Sequence, residues 1–267
     1  MDNRPIGVFD SGVGGLTVIK EIIRQLPQEN VVYFGDTAHL PYGPKSSQTI
    51  KRLVRDNIRF LLKKKIKAVI LACHTASAFT LEEIRASSFP IPIIGVIRPG
   101  AGETLRVTKN KRIGVIGTYG TIKSRAYAKE LKRLEPEAFV IEKPCPLFVP
   151  LVEEGWIAKE ATRLIVREYL EPLKEEGIDT LILGCTHYPL LKEEIARVMG
   201  EVYLIDSARA TVAQMKKILE GKDLLAREGV SHPRQSFFVS DAPERFAELG
   251  KIFLGKEIEK VEKVNAD

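Results

Sequence analysis

The chain has 267 residues, 44% of them hydrophobic, and 41 Lys and Arg against 35 Asp and Glu leave a formal charge of +6. That length and apolar content describe a globular protein of one large domain or two ordinary ones, and exclude a disordered tail or a miniprotein. The basic residues are spread along the chain, and the densest run, Lys63 to Lys65 with Lys67, reads as a solvated helix end. No nucleic-acid-binding signature accompanies it, so nucleic acid is not an expected partner. Three cysteines, Cys73, Cys145 and Cys185, make no disulfide framework and suit a reducing, cytoplasmic setting. The start, MDNRPIGVFD, has no apolar signal core, and the longest uncharged stretch, Ala68 to Leu81, is too short to span a bilayer, so no membrane partner is expected.

In chain order, short Val- and Ile-rich runs alternate with segments of helical period, the pattern of an α/β protein with largely parallel sheets. A strand at 5–9 leads into the loop Asp10-Ser11-Gly12-Val13-Gly14-Gly15, and then into a helix striped by Leu16, Ile19, Ile22, Ile23 and Leu26. A strand at 31–34 precedes a helix striped by Ile50, Leu53, Val54, Ile58, Leu61 and Leu62. The strand at 68–71 runs into Cys73, and one at 91–95 meets the breaker run Ile97-Arg98-Pro99-Gly100, where a seam is expected. Strands follow at 112–116, 138–141, 180–183 and 202–205, the third running into Cys185. A return crossing is expected near Asp206-Ser207. Near the end, Ile258, Val261 and Val264 stand three apart between charged pairs, as a short charged edge strand would.

The pattern occurs twice. IGVFDSGVGGLTVIKEI is echoed by IGVIGTYGTIKSRAYAKEL, with Ile6 and Ile113 standing 107 residues apart. AVILACHTAS is echoed by TLILGCTHYPLL, with Cys73 and Cys185 standing 112 apart. Two similar offsets argue for duplicated α/β halves. The expectation is two pseudo-symmetric α/β domains with mostly parallel sheets, residues 1–97 plus 208–267 forming one and 98–207 the other. Ligands bind at the carboxyl ends of strands in such sheets, so Cys73 and Cys185 would stand on opposite walls of one cleft.

The glycine loop lacks the third glycine of a dinucleotide fingerprint, where Thr17 stands, and no Walker lysine follows. It does offer backbone N–H groups at a helix N-terminus, suited to a carboxylate, with Asp10 beside them for proton handling. Cys73-His74-Thr75 and Cys185-Thr186-His187 each set Cys, His and Thr together at a strand end. A zinc site is disfavoured, because Cys73 and His74 on an extended strand end would point to opposite faces, and no metal or other cofactor is expected. Cys145, between two prolines, reads as structural. Two cysteines across a cleft suit inversion of a stereocentre: one removes a proton from one face while the other delivers a proton to the opposite face. Asp10 would assist Cys73, and His187 would assist Cys185.

The segments GVFDSGVGGLTV, YFGDTAHLPYG, ACHTASA, IGVIGTYGTIKS, CPLFVPLVEEG and LILGCTHYPLL occur here in an order that resembles the cofactor-independent aspartate/glutamate racemase superfamily, and within it the glutamate racemases. The likeness runs from Ile6 to about Ser207. It implies two α/β domains with the site between them, and interconversion of L- and D-glutamate without pyridoxal phosphate or metal, supplying D-glutamate for peptidoglycan. It implies Cys73 and Cys185 as the acid/base pair, with Asp10, His187 and Glu153 assisting. Substrate contacts would fall on Asp10, Ser11, Tyr42, Gly43, His74, Thr75, Thr118, Thr121, Thr186 and His187. A homodimer is also implied.

One residue departs from the pattern: His74 stands where that family has Asn after the first cysteine. Neutral His offers one donor and one acceptor in a different geometry, and such a residue could titrate near neutrality. Two other functions fit the same residues: an aspartate racemase or related isomerase with the same cysteine pair, and a non-catalytic two-lobed protein that binds an acidic metabolite.

Overall fold

A computed structural model of the chain describes residues 2–86, 89–226 and 233–265. Among them are the strands β1 (Ile6–Asp10), β2 (Val31–Gly35), β3 (Ala68–Leu71), β4 (Ile93–Gly95), β5 (Arg112–Gly117), β6 (Phe139–Pro144), β7 (Thr180–Gly184), β8 (Tyr203–Ile205), β9 (Gln235–Val239) and β10 (Val261–Lys263). The helices are α1 (Leu16–Gln25), α2 (Ser47–Lys63), α3 (His74–Ala86), α4 (Ile97–Val107), α5 (Tyr119–Ser124), α6 (Ala126–Leu134), α7 (Phe148–Glu153), α8 (Glu160–Glu175), α9 (Lys192–Met199), α10 (Ser207–Gly221) and α11 (Pro243–Leu254). No helix among the described residues is long and apolar enough to cross a membrane.

The strands form two sheets, ordered β10-β9-β2-β1-β3-β4 and β6-β5-β7-β8, with every pairing parallel. Without β9 and β10, the first order is the second one repeated, with β1 matching β5 and β3 matching β7. The repeated sequence segments therefore occupy equivalent places: each glycine- or threonine-bearing loop follows a central strand, and each cysteine follows the strand beside it. Cys73 lies two residues beyond β3, and Cys185 directly follows β7.

Central strands buried on both faces explain the near-continuous apolar runs. Ile6, Val8, Ala68, Ile70 and Tyr33 face one core with α1, α10 and α11, while Phe9, Val32, Phe34, Val69 and Leu71 face another with α2. This is the two-residue alternation of a strand, applied to a sheet with helices on both sides. On α1 the buried side chains are Leu16, Val18, Ile19 and Ile22, each of which contributes about 1.5–3 kcal/mol relative to exposure. The first core does not stop at the first sheet. It continues through Met215 and Leu219 of α10 to Leu181 and Leu183 of β7, so the two lobes share apolar contact.

Three local expectations are corrected. The seam at Ile97-Arg98-Pro99-Gly100 is not a strand end in a breaker loop but the first turn of α4, where proline's missing N–H breaks no helical hydrogen bond. Cys73 and His74 are not on an extended strand end, because His74 already opens α3. The strand β9 lies in a stretch whose pattern had pointed to none, and it pairs with β2. The charged edge strand does form, as β10 at residues 261–263.

Candidate active site

The carboxyl ends of β1, β3, β5 and β7 bring the two cysteine motifs and the glycine loop together. Asp10 ends β1 with no exposed surface, and its Oδ2 accepts from the Gly12 N–H at 3.1 Å. Among the described residues its Oδ1 has no hydrogen-bond partner. Burial pushes the Asp10 carboxyl above its usual range, opposed by the charge of His187 and by N–H groups of the loop. The effect of His187 on Asp10 is a cross-lobe interaction, because α1's loop packs directly on the second cysteine motif. A Cβ on Gly14 would overlap Thr186 Oγ1 and lie 2.7 Å from His187 Nδ1, so only glycine allows this approach.

Cys73 is 6% exposed, with its sulfur 3.6 Å from Ser11 Oγ and 3.5 Å from the Ala76 N–H of α3. Burial, with Asp10 nearby, pushes its thiol up to about 12, so it holds its proton at neutral pH. Cys185 is 7% exposed, and its sulfur lies 3.8 Å from His187 Nδ1. The other ring nitrogen, Nε2, is 2.8 Å from Glu153 Oε1 at the end of α7. Burial alone would lower the His187 pKa, but Cys185 and Glu153 outweigh it and hold the imidazole up at about 10. The two cysteines thus meet opposite neighbours: a carboxyl group beside Cys73 and a cationic imidazole beside Cys185.

Hydroxyl groups line the junction. Thr75 Oγ1 is 2.8 Å from Thr118 Oγ1 and 3.2 Å from Thr121 Oγ1, joining α3 of the first lobe to the β5–α5 turn of the second. Gly43 lies against Thr118. The Tyr42 hydroxyl turns away into the first lobe, where it donates to Asp36 Oδ2 at 2.6 Å and accepts from Asn57 Nδ2 at 3.1 Å. What residues 42–43 present to the junction is therefore backbone. His74 is 5% exposed and bonded through Nδ1 to Tyr127 at 3.0 Å, and burial drives its pKa down to about 3. Burial therefore works against titration near neutrality, and the partner of Nδ1 is a neutral hydroxyl rather than a carboxylate. Cys145 is fully buried, bonded to the Lys143 carbonyl, and its thiol is pushed up by burial.

Both sulfurs, Asp10, His74, Thr75, Thr186 and His187 are buried at the junction, and a cavity of about 1050 Å³ lies elsewhere, among α1, α4 and α10. Among the described residues no group of three or more His, Cys, Asp and Glu is placed to hold a metal ion.

The family described as Asp/Glu/Hydantoin racemase matches residues 6–215. A glutamate racemase of Geobacter metallireducens is 50% identical over 265 residues, covering 99% of this chain and 97% of the relative. The chain belongs to the Asp/Glu/hydantoin racemase family. It is an amino-acid racemase of that family, and solved structures of similar proteins superpose along its whole length. Glutamate racemase isoform RacE1 of Bacillus anthracis gives a TM-score of 0.94 at 42% identity, with 99% of this chain and 98% of that one covered. The glutamate racemase of Francisella tularensis in complex with D-glutamate gives 0.93 at 40%, covering 100% and 99%.

In this racemase, three features around the site went unread in the sequence. Phe253 of α11 sets its ring edge-on to His187 at 5.2 Å, and Arg245 of the same helix donates to the Glu153 carbonyl at 3.0 Å. Tyr127 and Ser207 stand behind His74. The only available signal was the apolar spacing of Phe246, Leu249 and Phe253, which marks a helix face but not what it covers.

Proposed function

We propose that this chain is a glutamate racemase that interconverts L- and D-glutamate by a two-base mechanism, with Cys73 and Cys185 as the catalytic residues. The observation that carries this reading is the pair of buried sulfurs, one on each lobe, with a carboxyl group beside Cys73 and a cationic imidazole beside Cys185. The glutamate racemases among its relatives, including one in complex with D-glutamate, support glutamate as the substrate.

In one direction the Cys185 thiolate, beside the His187 cation, takes the α-proton. The Cys73 thiol, which holds its proton, delivers it to the opposite face of the carbanion. The sulfur that was an anion leaves as a thiol and the other as a thiolate, so the roles exchange and the reverse reaction uses the same pair. Asp10, whose raised pKa suits it to accept a proton, serves Cys73 in the reverse direction. His187 serves Cys185, and Glu153 keeps His187 charged. No cofactor or metal is required.

General acid–base catalysis contributes about 10²–10⁴-fold, too little alone for so weak a carbon acid. Donors set around the substrate carboxylate must stabilise the developing charge. We assign this to Ser11 and the loop amides after β1, to Thr75 and Thr186, and to the backbone of Tyr42-Gly43, with Thr118 and Thr121 completing the junction. Burial of these groups between the lobes strengthens each of these interactions.

We assign residues 1–97 and 208–267 to the first domain and 98–207 to the second, and infer a cytoplasmic homodimer that supplies D-glutamate for peptidoglycan. The test is circular dichroism with L- and D-glutamate and L- and D-aspartate, on the unsubstituted chain and on Cys73→Ala and Cys185→Ala. Glutamate alone should racemise, and each variant should lose the activity. Racemisation of aspartate in preference, or full activity in either variant, would overturn the assignment.

A further inference from the structure

Cys73 is followed by two residues that both reach across to the second lobe. Thr75 meets Thr118 and Thr121, as described. His74, buried at the start of α3, meets the hydroxyl of Tyr127 on α6 at 3.0 Å, and the same hydroxyl lies 2.8 Å from Ser207 Oγ at the start of α10. Tyr127 has no exposed surface, and Ser207 is 1% exposed. On α4, a Cβ at Gly100 would overlap Ser207 Oγ and lie 3.1 Å from the Tyr127 hydroxyl, so a glycine there leaves room for the chain of polar groups. The chain thus runs from the residue beside Cys73, through the second lobe, to α4 and α10, the two helices on which the polypeptide passes between lobes.

We propose that Tyr127 and Ser207 are positioning residues for the reaction, acting through His74 to fix where the Cys73 sulfur stands against the second lobe. This rests on reading Cys73 as one of the two acid/base groups. Its surroundings make the position discrete. The polar chain is embedded among Val96, Ile97, Ala101 and Leu131, where an unmade hydrogen bond finds no water in exchange. A small separation of the lobes would leave imidazole, phenol and hydroxyl unpaired together. The His74 ring stays neutral across the working pH range, so the bond does not come and go with pH. Because α3 begins at His74, holding that ring also holds the Ala76 N–H, which bonds the Cys73 sulfur. In this chain, therefore, the histidine after the first cysteine engages the opposite lobe through Nδ1, leaving only Nε2 for a ligand.

The test is steady-state kinetics with both glutamate enantiomers on Tyr127→Phe and Ser207→Ala, alone and combined with His74→Asn. The equilibrium constant of a racemisation is one, so kcat/KM must fall equally in the two directions, while kcat and KM remain free to differ. Displacing a reacting group by about an ångström costs as much as about 100-fold, and Tyr127→Phe should lower kcat/KM about 10-fold, mainly through kcat. Ser207→Ala should act in the same sense, more weakly. If the effect passes through His74, Tyr127→Phe should cost less than about threefold in the His74→Asn background, because coupled residues are not additive. A Tyr127→Phe variant within twofold of the unsubstituted chain, or the same loss in both backgrounds, would overturn the proposal. Full activity in Cys73→Ala would instead overturn the reading on which it rests.

Discussion

Glu153 holds His187 from behind: its Oε1 lies 2.8 Å from Nε2, which leaves Nδ1 turned toward the Cys185 sulfur at 3.8 Å. The cation on His187 is present below its raised pKa, about 10, and is lost as pH rises through it. Glu153→Gln keeps the hydrogen bond but removes the charge, so the His187 pKa falls. Near neutral pH, turnover should change by only a few-fold, whereas the alkaline limb of the kcat/KM profile should move to lower pH by about one unit. A pH–rate profile checks this, and an unmoved alkaline limb would separate Glu153 from the chemistry.

His74 makes the opposite statement about pH. Its folded pKa, about 3, lies below the ordinary histidine value, so the unfolded chain takes up a proton that the folded chain refuses. The resulting contribution to stability is full above about pH 6.5 and declines as pH falls toward the folded value, by about 1.4 kcal/mol for each unit. His74→Asn removes this titration. Relative to the unsubstituted chain, its urea midpoint should rise progressively below pH 6, while the pH profile of kcat/KM between 6 and 9 keeps its shape.

Gly14 marks the closest approach of the glycine loop to the second cysteine motif. Gly14→Ala places a methyl group against Thr186 and the His187 ring, and relief requires the lobes to separate there. With the fold retained by circular dichroism, kcat/KM should fall about 100-fold or more.

A second buried ion pair lies far from the cysteines and corrects the expectation of a solvated basic run, because Lys67 has no exposed surface. Lys67 Nζ is 2.5 Å from Glu29 Oε2, with both side chains nearly inaccessible, and it also donates to the Asp2 carbonyl at 2.6 Å. Glu29 Oε1 accepts from the Ala226 N–H at 2.9 Å, so the pair fastens the N-terminal segment and the chain after α10 to the first sheet. Lys67→Met leaves a buried carboxylate without its cation. Denaturant unfolding should show a loss of about 3–5 kcal/mol, with little change in racemase kinetics.

Much of this was legible in the sequence because parallel strands announce themselves. The runs at Ile6, Ala68, Ile113 and Thr180 are apolar on both faces, and their repetition at offsets of 107 and 112 foreshadowed two sheets of the same order. The strand β9 was missed because its polar start, Gln235-Ser236, and only three buried residues give a short, weak signal. The helical start at His74 was missed because β3 and α3 meet with no breaker between them. Cys73, Cys185 and Asp10 could be singled out by residue type, since their chemistry is intrinsic. The parts played by Tyr127, Ser207, Gly100 and Phe253 depend on which segments the fold brings together across 50 residues or more, and no local pattern encodes that.

The two-base account is tested most directly by following deuterium at the α-carbon of both enantiomers during the first few per cent of turnover of L-glutamate in deuterium oxide. Removal of the proton by one sulfur and delivery from the other predicts that the D-glutamate formed carries solvent deuterium while the remaining L-glutamate does not. Deuterium entering L-glutamate as fast as D-glutamate appears, or D-glutamate that keeps the original proton, would contradict it.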